Sequence, residues 1–455
     1  MRSPGVTPDV EFVWIAKTNY SPINISKAYI LAALETKYPK YSLGQAFGDL
    51  LNLPVKQIQQ YTYMFSSLPT LKGFPLWRIE GSVTEAYLFL DKLKNAKLNL
   101  FDRQNLKIDE YLEFITMTLT CANNIQGSYL KTDVLFDMMT FILHVYEIDE
   151  YFEHVIGRIY GDRLSEIKQF VELFLNFSTA RIRESSLSNG SGRKRKLEHT
   201  NSTKPDGETQ LPLSPQNGYH TPPSDSPTKD TLFAVPLSTI WANLQSYTAS
   251  ITQNASVQRA SPADLQIMNI ELHRCLLAHI TQLQDSADHA AQGADWKSPS
   301  GSYHAWVHSI GSAHSCSPLS LAFFRCLLPP DVAGRKVTAE EQYLIQDLWM
   351  HLANKARMEN DRASVKRDGK EDNLNSVDFA EFGGRRDDGD TKEAIGQLTK
   401  IIEYEKRCCG LAFEALEGLV GQKENKQVEG LKFYWLLMEI YNDVYVLKDI
   451  SSERK

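Results

Sequence analysis

Apolar side chains recur at intervals of three and four over most of the chain. The segments YLEFITMTLTCANNI, VLFDMMTFILHVYEIDEYFEHVIGRIY and LSEIKQFVELFLNF carry this spacing, which gathers their apolar residues on one helical face. So do DLQIMNIELHRCLLAHITQL, AEEQYLIQDLWMHLANKARMENDRA, AIGQLTKIIEYEKRCCGLAFEALEGLV and EGLKFYWLLMEIYNDVYVLKDI. Strand signals are few. No Asn-Gly turn is flanked by alternating residues, and no βαβ rhythm appears. No repeat at a solenoid period is visible. The pattern predicts an all-α fold.

Two polar stretches break the helical run. From Glu184 to Lys229 the chain is rich in Ser, Thr, Pro, Gly and Asn. Such a stretch buries too little apolar surface to offset the entropy of ordering it, so it is expected to be a disordered insertion. Within it Arg193-Lys194-Arg195-Lys196 reads as a solvated charge cluster or as a nuclear import signal. A shorter polar stretch, Lys366 to Lys392, is expected to be a loop between two helical segments. The resulting division is a helical extension over 1–100, one half of a helical domain over 101–183, the insertion over 184–230, and the other half over 231–455.

Composition narrows the class. Of 455 residues, 42% are apolar and 23% charged, with a net charge of −7. That is ordinary soluble composition and excludes a wholly disordered chain or a disulfide scaffold. The acidic balance argues against coating nucleic acid by bulk charge. No run reaches the ~18 apolar residues of a membrane span. The start, MRSPGVTPDVEF, lacks a signal-peptide apolar core. Cys121, Cys275, Cys316, Cys326, Cys408 and Cys409 form no CxxC pair and no zinc spacing. They read as reduced, mostly buried thiols of a cytoplasmic protein.

Two acidic patches carry the candidate chemistry. In Asp149-Glu150-Tyr151-Phe152-Glu153, Asp149 and Glu153 are four apart and share a helix face. Ile142, Val145 and Tyr146 lie one and two turns earlier on that face. A carboxylate pair beside an apolar groove suits a hard divalent cation. In the second patch Asn360, Ser364 and Asp368 recur every four residues, offering an amide oxygen, a hydroxyl and a carboxylate in a row. Arg367 beside them suits a phosphate oxygen. Two such patches on different helices can hold a diphosphate through metal ions, while the groove between takes a hydrocarbon tail.

These residues resemble the motifs of fungal class I terpene cyclases, which have the all-α terpenoid synthase fold. Asp149-Glu150-x-x-Glu153 resembles the aspartate-rich motif DDxxD/E. Asn360-Asp361-x-x-Ser364-x-x-Arg367-Asp368 resembles NDxxSxxKE, with Arg for Lys and Asp for Glu. The motifs stand 211 residues apart, and the insertion accounts for most of the excess over the usual separation. The resemblance covers Tyr111 to the C-terminus. It implies a helical bundle in which three Mg²⁺ ions are held by Asp149, Glu150, Glu153, Asn360, Ser364 and Asp368, with Asp149, Asn360, Ser364 and Asp368 as the catalytic set. It implies ionisation of farnesyl diphosphate and cyclisation to a sesquiterpene, with humulene suggested by loose similarity. A monomer or homodimer is implied, without nucleic acid or membrane span.

The sequence departs from the family at two places. The diphosphate-sensing Arg expected five residues after Tyr303 is replaced by His308. The C-terminal Arg-Tyr pair becomes Val444-Tyr445. Arg325, Arg357, Arg362 and Lys448 stand as alternative cations, and Arg367, His308, Tyr445, Tyr146 and Trp306 as the substrate-binding set. Tyr146, Trp306, Phe323 and Phe324 offer aromatic faces to a passing cation, or are plain core. His304, His308 and His314 lack the spacing of a zinc site. Two other readings compete. One is a helical scaffold or nuclear regulatory protein using the basic cluster. The other is a head-to-head prenyl synthase, from the resemblance of Asp449-Ile450-Ser451-Ser452-Glu453 to that family's second motif.

Overall fold

The computed structural model describes residues 53–95, 108–189, 237–292, 301–328, 337–383, 391–420 and 426–447. Among them the chain is 89% helical with no strand, the all-α fold expected from the periodicity. Eleven long helices in chain order are α1 Val55–Ser66, α2 Leu76–Asn95, α3 Ile108–Ile125, α4 Thr132–Glu150, α5 Leu164–Asn189, α6 Leu237–Thr252, α7 Pro262–Gln292, α8 Ser317–Leu327, α9 Ala339–Glu371, α10 Thr391–Val420 and α11 Lys426–Leu447. None of the described helices is long and apolar enough to cross a membrane.

Two wide π-helical turns interrupt the regular winding, Tyr151–Ile156 directly after α4 and Val307–Gly311 ahead of α8. Such turns insert one residue into the helical path and concentrate at functional sites. Both pack against α7.

The main core draws on all eleven helices through residues such as Phe65, Leu112, Phe141, Phe152, Leu276, Phe324, Leu348, Phe413 and Phe433. A second core gathers Tyr303, Trp306, Met358, Phe379 and Leu398 behind α9. Helices α9 and α10 run antiparallel, as shown by His351 against Glu405 at 2.6 Å and, further along, by Met358 in one cluster with Leu398.

Local chemistry fixes the ends of α9. Thr338 Oγ1 accepts from the Glu341 amide at 3.1 Å, and Glu341 accepts from the Thr338 amide at 2.7 Å. This reciprocal box satisfies two backbone donors that the first turn leaves open. Asp372 closes the other end in the left-handed region, φ 56°. The helix therefore runs through Lys366–Glu371, which the polar composition assigns to a loop. The spacing of four that carries Asn360, Ser364 and Asp368 simply continues the helix.

Likewise α5 extends to Asn189, past the expected start of the insertion at Glu184. The rest of that insertion, including Arg193–Lys196, lies outside the described residues, as do Lys448 and Asp449–Glu453. The described part of the N-terminal extension is no separate unit. Phe65, Leu68 and Leu71 join the main core, and the Thr70 amide donates to Asp443 on α11 at 2.7 Å.

Candidate active site

One cavity lies between α4, α7, α9 and α11. Its apolar part is lined by Met138, Ile142, Val145, Phe152, Leu283, Tyr434, Leu437, Met438 and Tyr441. Its polar part is lined by Asp149, Glu153, Asn360, Asp361, Arg367, Asp368 and Glu371. The two acidic patches, 211 residues apart in sequence, thus border one space. Ile142, Val145 and Tyr146 line it on the same side as Asp149. The π-turn begins between Asp149 and Glu153, and both carboxylates still border the cavity.

The α9 side is heavily braced. Asp361 is ion-paired with Arg357 at 3.0 Å and accepts from the Ser376 amide at 3.0 Å and from the Ser376 hydroxyl. Asn375 Nδ2 donates to Asp368 at 2.8 Å and to the Asp361 carbonyl at 2.7 Å. Ser364 Oγ donates to Asp368. Burial pushes the Asp361 carboxyl up, the Arg357 charge pulls it down, and the Asp368 charge adds to the rise. The loop after α9 therefore sets the rotamers of the motif.

The α4 side is built from imidazoles. Asp149 Oδ1 lies 3.3 Å from His279 Nε2 and 3.9 Å from His314 Nε2. Burial works against the Asp149 charge, but His279, His314 and Arg357 together hold its carboxyl below the ordinary range. Glu153 has no such support. Burial, then the charges of Asp149, Glu150 and Asp368, push it well above the usual value, against a partial pull from Arg367.

Several sequence expectations need correction. Glu150 is buried and turned from the cavity lining. It accepts from Tyr111 at 2.9 Å and pairs with His154 at 3.2 Å. Ser364 is also off the lining, its hydroxyl committed to Asp368. His308 does not reach the cavity. Asn354 Nδ2 sits 3.1 Å from its ring, and Glu405 lies 4.0 Å away. Trp306 is fully buried behind the wall, its ring 5.1 Å from the Arg357 guanidinium. Phe323 and Phe324 pack in the main core, Phe323 stacked on Phe141 at 4.0 Å. Of the alternative cations, Arg325 is tied to Asp264 at 2.8 Å and Arg362 pairs with Glu359.

Among the alternative cations, and like Arg367 of the motif, Arg357 lines the cavity. Its donors reach Asp361, His314 Nδ1 at 3.0 Å and the Leu374 carbonyl at 3.3 Å. Tyr445 and Tyr146 also line the cavity and share a hydroxyl–hydroxyl hydrogen bond. The three histidines of 304–314 divide. His304 and His308 stack at 4.1 Å, whereas His314 faces Asp149. His279 and Asn375 are the site residues that sequence spacing does not reveal, because each meets its partners through tertiary packing; Arg357 is one of the alternative cations already named from the sequence.

The donor set suits a hard divalent cation. Asp149, Glu153, Asn360 and Asp368 offer oxygen atoms, and the Glu153 carboxyl is raised first by burial and then by the neighbouring charges of Asp149, Glu150 and Asp368.

The chain is similar to fungal terpene synthases over nearly its whole length. It is 28% identical over 452 residues to pimaradiene synthase pbcA of Emericella nidulans, covering 96% of this chain and 44% of the relative. It is 28% identical over 468 residues to ent-kaur-16-ene synthase of Fusarium fujikuroi, covering 98% and 45%. It is 25% identical over 479 residues to phyllocladan-16-alpha-ol synthase of Phomopsis amygdali, covering 97% and 44%. The chain thus spans less than half the length of these relatives. No protein-family model matches it, and no solved structure does.

Proposed function

We propose that this chain is a class I terpene cyclase that ionises and cyclises a prenyl diphosphate. The observation that carries the reading is the joining of two remote acidic motifs at one end of an apolar cavity. The relatives named above are diterpene cyclases, which favours twenty-carbon geranylgeranyl diphosphate over the farnesyl diphosphate expected from sequence. The comparisons carry neither a fifteen-carbon product nor humulene.

Asp149, Glu153, Asn360 and Asp368 would hold magnesium, which supplies charge neutralisation for the departing diphosphate. Arg367 and Arg357 border the same end and can donate to phosphate oxygens. Asn375 and Ser364 hold Asp368 in place before substrate arrives, so little reorganisation is needed when charge develops. The apolar wall from Met138 to Met438 excludes water from the allylic cation. The faces of Tyr146, Tyr434 and Tyr441 line the path it would follow.

The test is purified chain with magnesium and either geranylgeranyl or farnesyl diphosphate, with products read by gas chromatography and mass spectrometry. A cyclic twenty-carbon product lost on Asp149→Ala is expected. Turnover of farnesyl diphosphate alone would restore the fifteen-carbon reading, and no hydrocarbon from either would overturn the cyclase.

A further inference from the structure

Beside Asp149, outside the oxygen-donor set, lies a second group of ligating atoms, of which His279 and Cys316 also line the cavity. Cys275 and His279 are one turn apart on α7. Cys316 comes from the bend entering α8. The two sulfurs are 3.3 Å apart, His279 Nε2 is 3.9 Å from Cys316 Sγ, and the ligating atoms of all three residues lie within 4.8 Å of one another. All three side chains are buried.

Tetrahedral zinc has bonds of ~2.3 Å to sulfur and ~2.0–2.1 Å to imidazole nitrogen. Those lengths put two sulfurs ~3.8 Å apart, and a sulfur and a nitrogen ~3.5 Å apart, around one ion. The sulfur–sulfur and Cys316–His279 spacings need shifts of about half an ångström, and Cys275 Sγ, within 4.8 Å of the His279 ligating nitrogen, needs at most about 1.3 Å.

Two further features prepare the site. His279 Nδ1 lies 2.8 Å from the Cys275 carbonyl. Donating there, it leaves Nε2 as the ligating atom. A carbonyl behind a metal-bound imidazole commonly orients the ring in this way. Cys316 adopts φ 56°, a left-handed conformation rare for a side chain without a short polar group. Such strain persists only where surrounding structure imposes it, and it concentrates at functional positions. The bend aims Cys316 Sγ at Cys275 and His279.

We propose that Cys275, Cys316 and His279 form a binding site for a thiophilic divalent ion of the zinc class, distinct from the oxygen-donor set on the cavity. Binding involves no redox change. The two thiol protons, and any proton on His279 Nε2, pass to buffer as the metal–ligand bonds form. His279 Nε2 also faces Asp149 at 3.3 Å, so the ion takes from Asp149 its nearest hydrogen-bond donor. Zinc loading therefore lowers activity at constant magnesium wherever Asp149 is used as proposed.

The test is the full chain, reduced and metal-free, titrated with Co²⁺ in the presence of excess Mg²⁺. Thiolate-to-cobalt absorption and the strong visible bands of a tetrahedral ion are expected at one equivalent. Cys275→Ser and Cys316→Ser should each weaken binding about tenfold or more, while Cys121→Ser and Cys326→Ser leave it unchanged. X-ray absorption of the zinc-loaded wild-type chain avoids the risk of misfolded variants, and two sulfur scatterers at ~2.3 Å are expected. Absence of cobalt–thiolate absorption, bands that survive both cysteine substitutions, or a shell of oxygen and nitrogen alone would overturn the site. A mass loss of two hydrogens with no metal uptake would show a disulfide instead, and would also overturn it. Neither optical nor X-ray readout depends on the chain being a cyclase.

Discussion

Asp149 and Asp368 face the same cavity, yet their surroundings differ in kind. Asp368 is held by Ser364 and by Asn375 at 2.8 Å, with Asp361 fixed alongside by Ser376 and Arg357. Those partners come from α9 itself and from the ordered loop after it. Asp149 is faced by the imidazoles of His279 and His314 with the Arg357 charge beyond them, and Glu153, four residues on, sits on a π-turn among like charges. One wall is pre-set by hydrogen bonds and the other keeps unbalanced charge. The pairing places a hydrogen-bonded anchor opposite a charge-rich wall across one cavity.

The strongest way to break the comparison is at the anchor. Asp361→Ala leaves the buried Arg357 without its ion-pair partner and removes the acceptor for Ser376. A loss of about 3–5 kcal/mol in unfolding free energy is expected, measured by chemical denaturation. A normal midpoint would show that the brace is dispensable.

On the proposed reading, Asp149→Ala removes a charge used directly. A fall in kcat of about 10²–10³ is expected, the scale of one lost preorganised electrostatic group, with a smaller loss of unfolding free energy in metal-free buffer than Asp361→Ala produces, because His279 and His314 lose a charged partner. The split between rate and stability at Asp149, against its reverse at Asp361, is the sharpest form of the contrast.

Asn375→Ala tests whether the anchor is set from outside the motif. A 10–100-fold loss of magnesium affinity is expected, visible as a shift in the metal dependence of the rate. An unchanged metal dependence would leave Asn375 a loop residue only.

The smallest effect is on Glu153. Its folded value lies above the ordinary 4.5, so folding favours the protonated form. That contribution to stability is present below the unfolded value and lost as pH rises through the folded one. Glu153→Gln should therefore raise the thermal midpoint of the metal-free chain at pH 7, and the gain should vanish toward pH 4. Magnesium should stabilise the wild type and not the variant. A variant less stable than wild type at pH 7 would contradict the idea of unbalanced charge.

Much of this was legible in the residues. Apolar spacing gave the all-α fold, and the spacing of four gave the α9 face with Asn360 and Asp368. Asp149 and Glu153 were readable for the same reason. What failed was anything decided by tertiary direction. Glu150 differs from Asp149 by one position, so its side chain points about 100° away around the helix, into Tyr111 and His154. His308 occupied the right place in a motif, but the π-turn beginning at Val307 shifts the path and His314 reaches Asp149 instead. His279 gave no signal, since a lone histidine in CLLAHITQL looks like any core residue. Polar composition misplaced the ends of α5 and α9, because surface helix and loop draw on the same residues.

The two π-turns have a further consequence, for how such a cavity changes over generations. A π-turn holds one residue more than the α-helix it replaces. A single-residue deletion within Tyr151–Ile156 or Val307–Gly311 could restore regular winding without ending the helix. Everything beyond the deletion would rotate by about 100° relative to what precedes it. A cavity wall could be re-aimed in one step, with none of its lining residues replaced. Point substitution explores the surface of a pocket slowly; these two turns are places where its geometry can jump.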